Sequence, residues 1–149
     1  MIQQIKELIK ELKAENYHYV IISDGSGTTV KSPCGFASVI FSAENNNIIK
    51  LSGALVNGTN NLAELMPFIY SFWYIENQFH PIDKDILCIS DSELTVKQGN
   101  KSYTRNNLLW SCVDAFYIDN FIDWKWLPRN SNPILTYCDS ESKLIRKRV

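Results

Sequence analysis

Residues 17–27 read YHYVIISDGSG: a β-branched, apolar run from Tyr19 to Ile22 that meets Asp24-Gly25-Ser26-Gly27. Such a run, too short for a helix and closed by turn formers, predicts a buried strand that delivers an aspartate to its end. A second run of the same kind, Ile86 to Ser90 (ILCIS), is followed at once by Asp91. Two central strands each ending in a carboxylate place both acids where open sheets form ligand crevices.

The rest of the chain arranges itself around these two strands. GFASVIFS (Gly35 to Ser42) and IIKLSGALV (Ile48 to Val56), joined by Asn45-Asn46-Asn47, predict two more strands and, with the first, an antiparallel meander. Thr59-Asn60-Asn61 supply capping side chains for LAELMPFIYSFWYIENQF, whose Leu65, Ile69, Phe72 and Trp73 fall on one helical face, with Pro67 expected to kink the helix. Asn106 to Tyr117 has helical patterning. Phe121 to Leu127 alternates like a strand, with Trp124 and Trp126 on one face and Pro128 as its stop, and the chain from Ile134 onward is helical in composition. At the other end, Ile2, Ile5, Leu8, Ile9 and Leu12 describe an amphipathic helix. The expected order is αβββαβαβα.

With 149 residues, 45% of them apolar and 21% charged, the chain has the make-up of one soluble domain, which excludes a disordered tail or a collagenous repeat. The longest apolar stretch, Phe68 to Ile75, is far shorter than the ~20 residues of a spanning helix. No export segment is visible in MIQQIKELIKELKAEN, so a cytoplasmic location is expected. The formal charge of -1 gives no global field to attract phosphates, so a nucleic-acid partner must be held locally. Cys34, Cys88, Cys112 and Cys138 form no CxxC pair and are expected to pack structurally, as are His18 and His80, which lie in no nucleophile motif.

Taken singly, Asp24, Glu64, Asp91 and Asp139 have ordinary explanations as turn, cap or surface acids. Brought into one crevice, they would repel one another unless a divalent cation neutralised them, and an all-oxygen ligand set suits magnesium or manganese.

Several motifs, in order, resemble those of the ribonuclease H family from Tyr19 to about Ser142. VIISDGSG is similar to that family's first strand and aspartate, and Gly35-Phe36-Ala37 to the start of its second strand. GTNNLAEL (Gly58 to Leu65) is similar to its Asn-Asn-x-x-Glu-Leu helix start. LCISDSELTVKQG (Leu87 to Gly99) resembles its strand-to-helix segment, and WLPRNSNPILTYCD its closing strand, loop and helix. The resemblance implies an α/β fold with a mixed five-stranded sheet, three antiparallel strands then parallel ones, flanked by helices. Residues 1–16 would be an N-terminal helical extension and 17–149 the RNase H-like domain.

It further implies a stand-alone, metal-dependent endonuclease that hydrolyses the RNA strand of RNA–DNA hybrids with two magnesium ions, or manganese in their place. Asp24, Glu64, Asp91 and Asp139 would bind the metals. The segment between Arg129 and Asp139 is three residues longer than the family pattern, which leaves Ser140 and Glu141 as rivals for the fourth position. Gly25, Ser26, Asn60, Asn61, Glu93 and Arg129 would face the substrate, the two asparagines reading the 2′-hydroxyl. Glu93 stands where bacterial members carry glutamine. No histidine follows His80, so the role of the family's loop histidine falls to Arg129 or to nothing.

A grip on the DNA strand is reduced to Lys97, Lys101 and Arg105 around Tyr103, and the terminal LIRKRV reads either as helix-end charge or as a backbone grip. The alternatives are an RNase H-fold nuclease or integrase acting on DNA and a non-catalytic nucleic-acid-binding module. A monomer is expected, with the N-terminal helix available to a protein partner.

Overall fold

A computed structural model describes residues 1–101, 105 and 107–149. The chain runs α1 (Ile2–Glu11), β1 (Tyr19–Ser26), β2 (Ser32–Ser42), β3 (Asn47–Gly58), α2 (Asn60–Phe79), β4 (Asp85–Ser90), α3 (Glu93–Gly99), α4 (Asn107–Tyr117), β5 (Phe121–Trp126) and α5 (Pro133–Lys147). One sheet has the order β3-β2-β1-β4-β5. Strand β2 runs antiparallel to both of its neighbours, β1 and β3, and β1, β4 and β5 run parallel.

Alternation along the central strands explains why both faces of the sheet are covered. Ile21, Ile86 and Cys88 point into a core shared with Phe68, Phe72, Trp110 and Trp124, while Val20, Ile22, Leu87 and Ile89 point into one shared with Ile5, Ile9, Ile134, Leu135 and Cys138. The helices α2 and α4 thus cover one face, and α1 and α5 the other. No helix among the described residues is long and apolar enough to cross a membrane.

Several expectations are adjusted. The short helix α3, capped by the Ser92 hydroxyl accepting from Thr95 N, follows Asp91 as the strand-to-helix resemblance of LCISDSELTVKQG implies, and adds one helix to the order read from periodicity. Trp73, expected on the buried face of α2, is 60% exposed, because α2 is apolar nearly all round and periodicity alone does not say which side meets the sheet. Helix α2 continues through Pro67, which is buried. Ser71 Oγ donates to Pro67 O at 2.6 Å, and its one proton being used there, Ser38 Oγ donates to Ser71 Oγ at 2.7 Å, tying the helix to β2. Cys34, Cys88 and Cys138 are buried as expected, whereas Cys112 is exposed. Both histidines have structural roles: His18 Nδ1 accepts from Asp85 N at 3.0 Å, and His80 caps α2 in the left-handed conformation. Asn106 and Tyr103 lie outside the described residues.

Candidate metal centre

Strand β1 pairs with β4 only as far as Ser23 opposite Ser90, but it continues along β2 for three residues more, Asp24 opposite Ala37 through Ser26 opposite Gly35. Asp24 therefore lies inside β1 rather than at its end, and the bare parallel side of β1 at that level faces Asp91. Helix α2 brings the third acid: Thr59 Oγ1 accepts from Leu62 N at 3.4 Å to start it, and Glu64 follows one turn later. The helix approaches β1 so closely that a Cβ on Gly25 would stand 2.2 Å from Ala63 O, a separation only glycine permits.

Asp24, Glu64 and Asp91 each bring a carboxylate oxygen within 4.8 Å of the others. Asp24 is 3% and Glu64 6% exposed. At such separations two like charges repel by about 3 kcal/mol even at an effective dielectric constant near 20. Burial, and next the charge of Asp91, push the Asp24 carboxyl up to about 8, and burial with the charges of Asp24 and Asp91 pushes Glu64 up to about 10. Asp91 is raised as well, chiefly by burial, with Asp24 and Arg129 opposing. Gly25 N donates to Asp24 Oδ1 at 2.9 Å, while Glu64 Oε2 is buried with no hydrogen-bond partner. A buried oxygen aimed into a cluster of acids without a donor fits a cation ligand, and the all-oxygen set fits a hard divalent ion.

Asp139 approaches from α5 and lines the same cavity as Asp24. Its carboxylate accepts from Lys143 Nζ at 3.0 Å and lies 3.5 Å from Arg129 Nη2. Burial raises its pKa, but the Lys143 hydrogen bond, the neighbouring Asp24 carboxyl and the two cations outweigh burial and hold it below its ordinary value. Asp139 is thus the ionised member of the group, and it stands outside the three-acid cluster.

The resulting cavity, about 300 Å³, is lined by all four acids together with Gly25, Ser26, Gly27, Asn60, Arg129, Lys143 and Arg146. No family model matches the chain, and no curated protein is similar to it in sequence. Solved structures are similar in fold. The N-terminal RNase H domain of rv2228c from Mycobacterium tuberculosis superposes with a TM-score of 0.74 at 22% identity, over 87% of this chain and 94% of that one. LC11-RNase H1, solved in complex with an RNA/DNA hybrid, gives 0.73 at 20% identity over 87% and 97%. RNase H1 from the halophilic archaeon Halobacterium salinarum gives 0.69 at 18% over 88% and 98%. The chain has the ribonuclease H-like fold.

Within this RNase H-like chain, the cavity gathers eight of the ten residues expected from sequence. Asn61 instead lines a neighbouring cavity with Lys31 and Trp110, and Glu93 is exposed in the first turn of α3, outside the acidic cavity. Ser140 and Glu141, the rivals of Asp139, do not line it either. Lys143 is absent from the expected site and Arg146 figures in the sequence only within the terminal LIRKRV, although their spacing from Asp139 by four and seven residues puts all three on one face of α5.

The suggested basic grip is arranged differently from expectation. Arg105 pairs with Asp114 at 2.7 Å and lies over the Trp110 ring, and Lys101 lies over Tyr117. Tyr103 falls outside the described residues.

Proposed function

We propose that this chain is a metal-dependent endonuclease that hydrolyses the RNA strand of RNA–DNA hybrids. The observation that carries the reading is the Asp24, Glu64 and Asp91 cluster, whose oxygens lie within 4.8 Å with Glu64 Oε2 buried and unpartnered. Those three residues would hold a divalent cation, with Asp139 completing the set for a second, and magnesium or manganese bound there supplies the positive charge that activates water and stabilises a phosphodiester's transition-state charge.

The remaining roles belong to the chain's own groups. Asn60, on the cavity wall, carries both a donor and an acceptor and suits recognition of a ribose 2′-hydroxyl. Gly25 and Ser26 bring backbone close to the same space because no side chain fits between β1 and Ala63. Arg129, 62% exposed beside Asp139, is placed to meet phosphate. No covalent nucleophile is needed, which agrees with the structural roles of both histidines.

The test is a labelled RNA–DNA hybrid incubated with the protein and magnesium, and separately manganese, beside a DNA duplex of the same sequence. Magnesium-dependent cutting of the RNA strand, with the duplex intact, is the expected result. Equal cutting of both would redirect the reading to a DNA nuclease of this fold, and no cutting in either metal would end it.

A further inference from the structure

We propose that Lys143, Arg146 and Lys147 form a phosphate-binding strip on α5 that grips the backbone of the substrate beside the acidic cavity. The proposal rests on the nuclease reading above and assigns that site its substrate grip. A second cavity, about 400 Å³, adjoins the acidic one and is lined by Ser26, Pro33, Lys143, Arg146, Lys147 and Val149. Three of its six lining residues are cationic and none carries an acidic side chain. Ser26, Lys143 and Arg146 line both cavities, so the strip begins where the carboxylates end.

The strip is built into the fold. A Cβ on Gly35 would stand 2.0 Å from Ser142 O and 2.7 Å from Arg146 N, so β2 and α5 meet backbone to backbone at this point. That contact sets Arg146 over the strand ends, where its Nε donates to Pro33 O at 2.9 Å and its Nη1 to Ser26 Oγ at 3.4 Å. Five N–H groups are available on a guanidinium, and these two bonds hold its plane while leaving donors for a ligand. Arg146 and Lys147 also lie in the last turn of α5, where cations complement the helix dipole. The dipole accounts for their charge but not for a concave surface, free of acidic side chains, continuous with the acidic cavity.

Spacing agrees with a nucleic-acid backbone. Arg146 is seven residues beyond Asp139, roughly 10 Å along the helix at ~1.5 Å per residue. At one phosphate per ~3.4 Å of duplex axis on each strand, a backbone lying along α5 would pass about three phosphates over that length. With a net charge of -1 the chain has no global field to hold such a ligand, and Arg105 is already paired with Asp114. The α5 strip supplies the local charge.

The test measures equilibrium binding of a fluorescent RNA–DNA hybrid across a salt series, with magnesium, in an Asp91→Asn background that prevents cutting. Lys147→Ala is expected to weaken binding about five-fold at low salt and to flatten the slope of log Kd against log salt by ~0.7–0.9, the signature of one lost phosphate contact. Lys147→Glu should weaken it further, and Lys6→Ala, on the exposed side of α1 and outside both cavities, should leave both quantities unchanged. Lys147 is exposed, and an unaltered melting temperature will show that the variants fold. Binding and slope unchanged by both Lys147 substitutions would overturn the strip while leaving the nuclease reading intact. Failure of the parent protein to bind the hybrid at all would overturn both.

Discussion

Asp24 and Asp91 are the residues that follow the last parallel rung between β1 and β4, Ser23 opposite Ser90. Hydrogen-bonded register, not side-chain flexibility, therefore brings the two carboxylates together, and the charge of Asp91 raises the pKa of both Asp24 and Glu64. Asp91→Asn removes a cation ligand and a repulsive charge at once. Magnesium-dependent cutting should fall by more than about 100-fold, while the melting temperature in chelator should rise. A variant that melts lower in chelator would show that Asp91 stabilises the fold rather than straining it.

The direction of the Asp24 and Glu64 shifts sets how stability depends on pH. Their folded values, about 8 and about 10, lie above those of an unfolded chain, so between about pH 4 and those values the folded state binds more protons. Stability of the metal-free protein is thus greatest on the acid side of this window and is lost as pH rises through it. Magnesium replaces the protons, so its stabilising effect should grow with pH. Thermal melts with and without magnesium at about pH 5 and about pH 8 measure this. An increment that is equal at both would contradict cation binding to the raised carboxylates.

How much of this was open to reading in the chain follows from what each signal reports. Central strands were legible because burial on both faces leaves an unbroken apolar run, as in Ile86 to Ser90. The end of β1 was not, since it depends on β2 continuing alongside to Gly35, a tertiary fact. Helix α3, seven residues long, is too short for periodicity to declare, although Ser92 is its cap. The four acids and Arg129 could be named from order and motif, but Lys143 beside Asp139 could not, because spacing on α5 acquires meaning only once the face that meets Asp24 is known.

Glycine at position 25 is a steric requirement of the site. The carbonyl it meets, Ala63 O, is also the one that Pro67, lacking an N–H, leaves without its usual helical donor. A methyl group 2.2 Å from that oxygen forces α2 away from β1, and with it Glu64 away from Asp24. Gly25→Ala should cost about 1–3 kcal/mol in denaturant unfolding and weaken metal binding in the folded fraction. Gly58→Ala is the contrast, since its new Cβ would first meet the mobile end of Leu55 at 3.1 Å. Equal losses in the two variants would argue against a specific role for the close approach.

Lys143 stands between the two halves of the site, and its substitution should move two affinities in opposite directions. Its ammonium lies 3.0 Å from Asp139 Oδ2 and competes with any divalent ion that would use that carboxylate. Lys143→Met removes the competing charge and frees the oxygen, which at ~1 kcal/mol for an exposed pair raises manganese affinity by about five-fold, measurable by calorimetry. The same change removes a cation from the α5 strip, so hybrid binding should weaken and its salt dependence should flatten. A merely structural lysine would lower both affinities together or neither. Opposite movements, with the melting temperature little changed, are the outcome that places Lys143 at the boundary between metal and phosphate.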